Sequence, residues 1–397
     1  DSSAVGAQLN GTNDVVQVAS TDYAFAAQRA DGSVVTWGYS SLYGNSFALL
    51  AQLDGTNDVV QVFSTDWAFA ALRADGSVIT WGYSRLGGDS FDVAAEINGT
   101  NDVVQVCATD RAFAALRADG SVITWGDFAR GGDSRAVAAA LNGTNKVVQV
   151  FSTQGAFAAV RADGSVVTWG DSSSGGDSSA VTAGLNGTNT VVQVFSTQGA
   201  FAAVRADGSV VTWGDSSSGG DSSAVAAGIN GTKKVLQVFS TQGAFAALRA
   251  DGSLVTWGDS LRGGNSFAVA AQLDGTNDVV QVFSTGSAFA ALRTDGSVIT
   301  WGSSSSGGNS SAVAAQLDGT NEANDVVQVF STGSAFAALR TDGAVITWGS
   351  SSSGGNSSTV AAKINGANDV VRVFGTWGAF AALRADGSVV TWGHSSY

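Results

Sequence analysis

The stretch "DVVQVFSTDWAFAALRADGSVITWG" (58–82) contains three apolar runs that are separated by short polar turns. The runs are rich in Val, Ile, Phe, Thr and Ala, and they lack the period of an amphipathic helix. The Asp-Gly pair at 75–76 favours a tight hairpin, because glycine adopts positive φ at little cost. The stretch therefore predicts three antiparallel strands.

This pattern recurs along the whole chain of 397 residues. Its Thr-Trp-Gly tripeptide ends at Gly38, Gly82, Gly126, Gly170, Gly214, Gly258, Gly302, Gly349 and Gly393. The step is 44 residues (38 to 82) except for one step of 47 (302 to 349), which carries the extra residues 322–324. The chain is therefore predicted to be one domain, residues 1–397, of nine repeats that start near 1, 45, 89, 133, 177, 221, 265, 309 and 356.

Residues 147–176, "VVQVFSTQGAFAAVRADGSVVTWGDSSSGG", resemble the repeat of the regulator of chromosome condensation family, and they are also similar to the β-lactamase-inhibitor propellers. The common features are the Val-Val-x-Val strand, the Asp-Gly hairpin, the Val-x-Thr-Trp-Gly strand and the glycine that follows it. The resemblance covers all nine repeats. It implies an all-β fold: a single closed β-propeller of nine 44-residue blades, with three or four strands in each.

The sequence departs from that family in three respects. The usual Gly-Gly-x-His is here Thr-Gln-Gly-Ala (153–156), and Gly-Gln-Leu-Gly is replaced by Gly-Gly-Asp-Ser (175–178). The family typically has seven blades, whereas nine near-identical repeats predict nine equal blades. The family's nucleotide-exchange and chromatin roles are not expected, because the chain is acidic and no inserted hairpin is visible.

The chain ends are predicted to close the ring. Runs such as "FDVAAEI" (91–97) are interpreted as outer strands, and residues 2–9 occupy the same place at the start of the chain. This N-terminal strand is expected to complete the last blade beside residues 388–392, which leaves no exposed sheet edge. The expected product is a monomeric ring, and assembly into a larger complex is left open.

Composition excludes several classes of partner. The net charge is −14 with only 19 Lys plus Arg, which argues against nucleic acid and anionic membranes. No apolar run approaches the roughly 18 residues of a membrane span. Cys107 is the only cysteine, so no intrachain disulfide and no Cys-based zinc site is predicted. The chain contains no Met, so Asp1 is expected to follow processing or trimming, and a secretory or extracellular route is favoured while the compartment stays open.

Variable loops indicate where a partner binds. In an antiparallel blade, the turn after the first strand and the loop after Thr-Trp-Gly lie on one face. The two turns whose sequence is nearly constant, Ala-Asp-Gly-Ser and Asn/Asp-Gly-Thr-Asn, lie on the other face, and we call them the monotonous turns. Large residues fill the variable positions of repeats one, two, three and nine, whereas Ser, Gly, Asp and Asn fill most of the others. Aromatic and Arg residues are enriched in binding hot spots, and neutral drift is the alternative explanation. The predicted partner-binding residues are Tyr23, Tyr39, Tyr43, Trp67, Tyr83, Arg85, Arg111, Phe128, Arg130, Trp377 and His394.

Other motifs favour structural roles. The nine Thr-Trp-Gly tryptophans are interpreted as packing between blades, and Arg73 and its equivalents as local partners of hairpin aspartates such as Asp75. Gln61 and its equivalents are expected to satisfy backbone groups. "DGTND" (54–58) has the alternating oxygens of a calcium loop but lacks the other ligands, so no metal is predicted. Seven Asn-x-Ser/Thr sequons are either glycan sites or turn chemistry, at Asn10, Asn98, Asn142, Asn186, Asn230, Asn309 and Asn356.

Catalysis has little support in the sequence. His394 is the only histidine, and the glutamates number two, Glu96 and Glu322. No catalytic residue and no cofactor is predicted. The predicted function is a non-enzymatic binding or scaffold propeller that docks a partner protein through its variable-loop face. The alternatives are a glycan-binding (lectin-like) or surface-coat module and, less favoured, a glycoside-processing enzyme.

Overall fold

The computed structural model describes residues 2–11, 13–39, 51–320, 325–366 and 370–394. Two compact units are found by their internal contacts, Asp1–Gly199 and Ala200–Tyr397, and each is described by itself below. The single domain and the closed ring stay predictions.

Each repeat forms one antiparallel sheet of three strands in sequence order, and nine such sheets lie in the described residues. The first strands are Val15–Ser20, Val59–Ser64, Val103–Ala108, Val147–Ser152, Val191–Ser196, Val235–Ser240, Val279–Ser284, Val326–Ser331 and Val370–Gly375. The second strands are Ala24–Arg29, Ala68–Arg73, Ala112–Arg117, Ala156–Arg161, Ala200–Arg205, Ala244–Arg249, Ala288–Arg293, Ala335–Arg340 and Ala379–Arg384. The third strands are Val34–Gly38, Val78–Gly82, Val122–Gly126, Val166–Gly170, Val210–Gly214, Leu254–Gly258, Val298–Gly302, Val345–Gly349 and Val389–Gly393. These sheets confirm the all-β class, and they fit the blades of a nine-bladed propeller.

Short helices lie after third strands and at the starts of repeats. The 3-10 helices after third strands are Ser84–Leu86, Phe128–Arg130, Ser172–Ser174, Ser216–Ser218, Ser260–Arg262, Ser304–Ser306 and Ser351–Ser353. Those that open repeats are Ser3–Gln8, Phe91–Val93, Arg135–Ala140, Ser179–Val181, Ser223–Gly228, Phe267–Gln272, Ser311–Gln316 and Ser358–Lys363, and an α-helical turn, Thr182–Leu185, follows one of them.

The predicted outer strands are wrong. Residues 91–97 begin as a 3-10 helix, because the Asp89 carboxylate accepts the Phe91 N–H at 2.9 Å and turns the chain. An isolated bridge between Ser77 and Asn98 and a hydrogen bond from the Val78 N–H to the Ile97 carbonyl at 2.8 Å link the end of this segment to the third strand of repeat two, and they do not make it a strand. The sheets therefore have three strands.

The predicted N-terminal strand is wrong for a related reason. Residues Ser3–Gln8 form a 3-10 helix that packs on the third strand of its own repeat. Arg29 of the same repeat reaches the Gln8 carbonyl at 3.5 Å. The segment is therefore part of the first repeat and does not provide an edge strand for the last one.

Neighbouring sheets pack through their apolar faces. In one core cluster of the first unit, Ala68, Ala70 and Leu72 of repeat two meet Phe113 and Trp125 of repeat three. The equivalent cluster of the second unit joins repeats seven and eight. The tryptophans therefore pack between repeats, as predicted. Full burial of an aromatic side chain contributes about 1.5–3 kcal/mol.

Two sets of polar contacts also join successive repeats. The Gln105 side chain donates to the Val150 carbonyl at 3.0 Å and accepts the Val150 N–H at 3.2 Å. Gln17 makes the same pair of bonds to Val62 at 3.2 and 3.3 Å. For these two residues, the prediction that the repeated glutamine satisfies backbone groups is confirmed.

The hairpin between the second and third strands is held by its own side chains. In repeat three, the Ser121 hydroxyl donates to Asp119 at 2.6 Å and accepts the Arg117 Nε–H at 2.7 Å. The guanidinium of Arg293 lies 3.3 Å from Asp295 in repeat seven. The repeated arginine is thus a local partner of the hairpin aspartate, as predicted, and its contacts stabilise the turn.

Candidate functional site

The two variable segments of a repeat lie at the same edge of its sheet. The Thr109 hydroxyl, in the turn after the first strand, donates to the Arg130 carbonyl in the loop after the third strand at 3.0 Å. Thr153 makes the same bond to the Ser174 carbonyl at 2.8 Å. At the opposite edge, the Asn145 side chain donates to Asp163 at 2.7 Å, which joins the two monotonous turns. The predicted segregation of variable and monotonous turns is therefore found within the repeats.

The loop after the third strand keeps one backbone conformation while its side chains vary. Asp127 caps the 3-10 helix by accepting the Ala129 N–H at 2.9 Å, and Gly131 ends it at φ 99°. The Thr124 hydroxyl donates to the Gly132 carbonyl at 3.2 Å. These contacts use the side chains of Asp127 and Thr124 and otherwise only backbone groups, so the side chains between them are free to differ from repeat to repeat.

Three predicted site residues, Tyr83, Arg85 and Phe128, line one groove in the first unit. The groove has a volume of about 840 Å³ and lies between the loops of repeats two and three. Phe128 is 74% exposed, whereas Tyr83 is half-buried. We call this cavity the groove of repeats two and three, and its lining also contains Leu86, Phe91 and Asp92.

The sequence prediction missed Phe91 and Asp92. Phe91 is 83% exposed at the opening of repeat three, where repeat five has Ser179. A comparison of the repeats at this position shows the phenylalanine as unusual. Because residues 91–97 were interpreted as a strand, however, Phe91 was expected to be packed in a sheet. Phe267 occupies the same position in repeat seven and is 87% exposed.

The turns after the first strands form a second cluster, which we call the turn column. The Asp22 N–H donates to the Asp66 carbonyl at 3.0 Å, and the Asp66 N–H donates to the Asp110 carbonyl at 2.9 Å. This ladder brings Tyr23 and Trp67 together, with ring centroids 5.0 Å apart and tilted by 37°. Two predicted site residues of neighbouring repeats thus form one aromatic pair.

Acidic side chains crowd the turn column. Burial raises the pKa of the Asp110 carboxyl to about 6, and the Asp66 carboxylate adds to that rise while Arg130 and Arg111 oppose it. Burial and the charge of Asp22 also raise the pKa of Asp66. Arg130 lies 3.4 Å from Asp171 of repeat four. The predicted residues Arg111 and Arg130 are therefore close enough to Asp110 for their charges to affect its carboxyl group.

Of the other predicted residues, Tyr39 bonds to a residue of the turn column, and Trp377 and His394 belong to the second unit. Tyr39 is 58% exposed, and its N–H donates to the Tyr23 carbonyl at 2.9 Å. Trp377 is 63% exposed, and the His394 N–H donates to the Gly378 carbonyl at 2.9 Å, both in the unit Ala200–Tyr397. A binding sector that joins repeat nine to repeats one to three stays a prediction. Tyr43 lies outside the described residues.

Groups for metal binding and nucleophilic chemistry are sparse. Among residues 2–11, 13–39, 51–320, 325–366 and 370–394, no three His, Cys, Asp or Glu side chains are placed to hold a metal ion. Burial raises the pKa of the Cys107 thiol to about 12, and the thiol lies 3.1 Å from the Val150 carbonyl. A thiol in that state is a weak nucleophile. In the described part of the chain, no helix has the length and apolarity that a membrane crossing requires.

No protein-family model and no curated protein matches the sequence. Among similar solved structures, the CRINKLY WD40 ectodomain of the receptor kinase ACR4 from Arabidopsis thaliana is 15% identical; the match covers 73% of this chain and 97% of that chain at a TM-score of 0.38. Prp20p from Saccharomyces cerevisiae, the yeast RCC1, is 18% identical over 62% of this chain and 72% of that chain at a TM-score of 0.39. RCC1 is thus among the similar structures, as the sequence resemblance predicted, and the likeness concerns the fold alone.

Proposed function

We propose that the chain is a non-catalytic binding protein that docks a partner protein through the groove of repeats two and three. The observation that carries the proposal is the pair Phe91 and Phe128, which are 83% and 74% exposed and line one cavity of about 840 Å³. Apolar surface gains about 25 cal/mol per Å² when a partner removes it from water. Exposed aromatic side chains that converge on one groove therefore favour a binding role.

The charges around the groove suggest the chemistry of the partner. Four of the ten Lys and Arg residues outside the repeated hairpin position fall between residues 85 and 135. One of them, Arg85, lines the groove itself. The lining also contains three carboxylates, Asp89, Asp92 and Asp127, so the groove is acidic like the chain as a whole. We expect a partner segment in which an apolar side chain lies next to a Lys or Arg.

Site-specific photocrosslinking tests the proposal. A benzophenone amino acid at position 128 is expected to trap a partner from native extract, and the same amino acid at position 260 serves as the control in repeat six. The trapped protein is then purified, and its affinity for the intact chain is measured by calorimetry. We expect Phe91→Ser and Phe128→Ser together to weaken that affinity at least tenfold, because they remove both exposed rings.

A matched variant separates binding from folding. Phe267→Ser removes an equally exposed ring from the same repeat position outside the groove, and it is expected to bind normally. Both groove substitutions introduce the serine that other repeats carry at the same positions, Ser179 of repeat five and Ser172 of repeat four, so the fold is expected to tolerate them. Unchanged affinity in the double variant would show that the partner binds elsewhere.

A glycan ligand is the second candidate, because exposed aromatic rings also stack on sugars. The same variants distinguish the two classes. A glycan array that gives a signal with the intact chain and none with the Phe91→Ser, Phe128→Ser double variant would replace the protein partner with a sugar.

A further inference from the structure

A second cavity, with a volume of about 870 Å³, lies inside the unit Ala200–Tyr397. Its lining contains the third strand of repeat seven, Val298–Gly302, and residues of the 3-10 helices that open repeats seven and eight, Phe267–Gln272 and Ser311–Gln316. We call this cavity the groove of repeats seven and eight. It shares no residue with the groove of repeats two and three.

One exposed aromatic ring lines this groove. Phe267 is 87% exposed, and the other repeats that begin in the same unit carry serine at its position, namely Ser223, Ser311 and Ser358. The fold therefore does not require a phenylalanine here. The flat apolar surface of the ring is available to a ligand.

Two asparagines line the groove at equivalent positions of repeats seven and eight. The Asn265 Oδ1 accepts the Phe267 N–H at 2.9 Å, and the Asn309 Oδ1 accepts the Ser311 N–H at 2.9 Å. Both side chains are exposed, and within the described part of the chain their Nδ2 groups have no hydrogen-bond partner. The turn thus fixes each amide by its oxygen and leaves its N–H donors open.

The turn itself does not require an amide. In repeat three, Asp89 accepts the Phe91 N–H at 2.9 Å. In repeat five, Asp177 accepts the Ser179 N–H at 2.8 Å. A carboxylate therefore makes the same turn without offering donors, so the asparagines supply the groove of repeats seven and eight with neutral donors where other repeats place a negative charge.

The charged groups of this groove are already used by their neighbours. The Arg293 Nε–H donates to the Ser297 hydroxyl at 2.7 Å, and the guanidinium forms an ion pair with the hairpin aspartate at 3.3 Å. The Asp318 carboxylate accepts the Thr320 N–H at 3.2 Å. Gln272, by contrast, is exposed and its amide has no hydrogen-bond partner among the described residues. The open polar groups of the groove are thus uncharged amides.

We propose that the groove of repeats seven and eight binds a neutral oligosaccharide. The hydroxyl oxygens of a saccharide accept hydrogen bonds from amide N–H groups, and the C–H face of a pyranose ring packs on an aromatic side chain. Asn265, Asn309 and Gln272 offer the amides, and Phe267 offers the ring. The volume of about 870 Å³ falls within the roughly 300–1,000 Å³ of small-molecule sites. This proposal does not depend on the protein partner proposed for the groove of repeats two and three.

A glycan array tests the proposal. The chain is produced in bacteria, so that the sequon asparagine Asn309 carries no glycan, and it is displayed on streptavidin to gain avidity. We expect a signal from neutral glycans, and the affinity for the strongest of them is then measured by calorimetry. Phe267→Ser is expected to weaken that affinity by about tenfold or more, because it removes the stacking surface.

The double variant Asn265→Asp, Asn309→Asp is expected to weaken the affinity to a similar extent. It keeps the oxygen that holds each turn and removes only the N–H donors, so the loss reports binding and not folding. Circular dichroism melts check that the fold is retained.

The control is the Phe91→Ser, Phe128→Ser double variant, which is expected to bind the same glycan normally because it alters only the groove of repeats two and three. An intact chain that gives no signal with any glycan overturns the proposal. A glycan that binds the variants of repeats seven and eight as tightly as the intact chain also overturns it. Loss of the signal in the control would assign the sugar to the other groove and would overturn the proposal as well.

Discussion

At the scale of single residues, the tryptophan of each repeat depends on a glycine of the preceding repeat. Trp125 donates its indole N–H to the Gly87 carbonyl at 3.1 Å, and Trp169 donates to Gly131 at 3.1 Å. Gly87 has φ 107°, and a Cβ there would lie 2.6 Å from the Phe113 ring. Trp81 is the exception, because its buried indole N–H has no hydrogen-bond partner among the described residues.

Repeat one carries Tyr43 at the sequence position that corresponds to Gly87. We predict that Gly87→Tyr, which introduces the residue of repeat one, lowers the free energy of unfolding by about 1–3 kcal/mol, the usual cost of a non-glycine residue at a position that needs positive φ. Denaturant melts measure this change. Tyr83→Asp is the control, since it changes the same loop and introduces the residue that repeat three carries at Asp127. Equal effects of both variants would contradict the role of the glycine.

Asp110 gives the stability a pH dependence. Its pKa in the fold is about 6, above the ordinary 3.8, so the folded state binds the proton more tightly than the unfolded state. The corresponding stabilisation is complete below about pH 4 and is lost as the pH rises through 6. We therefore predict that Asp110→Gln, which introduces the residue of repeat four, raises the melting temperature at pH 7 and has little effect on it at pH 4.

Hairpin aspartates provide the opposite control. Hydrogen bonds from Ser33 lower the pKa of Asp31 to about 2 from an ordinary value of 3.8. The stabilisation from Asp31 is present above pH 4 and is lost as the pH falls toward 2. Asp31→Asn should therefore lower the melting temperature at pH 7. The same sign for both variants at pH 7 would show that the environment of Asp110 is misassigned.

At the scale of elements, the glutamine of the first strand joins neighbouring sheets. Gln17 uses both the donor and the acceptor of its amide on the backbone of Val62. We predict that Gln17→Ala lowers the free energy of unfolding by about 1–3 kcal/mol, because it leaves a partly buried N–H and a carbonyl unpaired. Gln17→Glu retains only the acceptor and should lose less, as measured by urea melts. Equal losses would mean that the bond accepted from the Val62 N–H, which Glu retains, contributes nothing to stability.

The strands were predictable from sequence and the short helices were not. Val59–Ser64, Ala68–Arg73 and Val78–Gly82 coincide with the three apolar runs around the Asp-Gly turn. The run 91–97 contains the same kinds of residue, but one hydrogen bond from Phe91 to the Asp89 side chain turns it into a helix. Composition does not reveal such a local bond. Consequently Phe91, the most exposed ring in the groove of repeats two and three, was not among the predicted site residues.

The candidate site was predictable in part because turn alternation is a property of every antiparallel sheet. It correctly placed Tyr83, Arg85 and Phe128 at one edge of their sheets, and it placed Tyr23 and Trp67 at the same edge. It did not predict which residues share a groove and which share the turn column, since that depends on the spacing of neighbouring repeats. The raised pKa of Asp110 also depends on that spacing.

At the scale of the whole molecule, the repetition of the sequence separates structural residues from candidate binding residues. Residues 151–181 recur letter for letter at 195–225, so these two copies carry the framework and simple Ser-Gly loops. Repeats two and three keep that framework and differ in their loops. A comparison of the repeats within this one chain therefore distinguishes the groove residues from the residues of the framework.

The way in which the loops are anchored makes the repeats interchangeable parts for protein engineering. Thr109 and Thr124 hold their loop by its carbonyl oxygens, which every amino acid possesses. Residues 83–93 therefore fit, in principle, in place of residues 215–225, and a phenylalanine at 260 would complete a copy of the groove lining. A chain with two such grooves would bind a divalent partner with avidity, which a single groove does not provide.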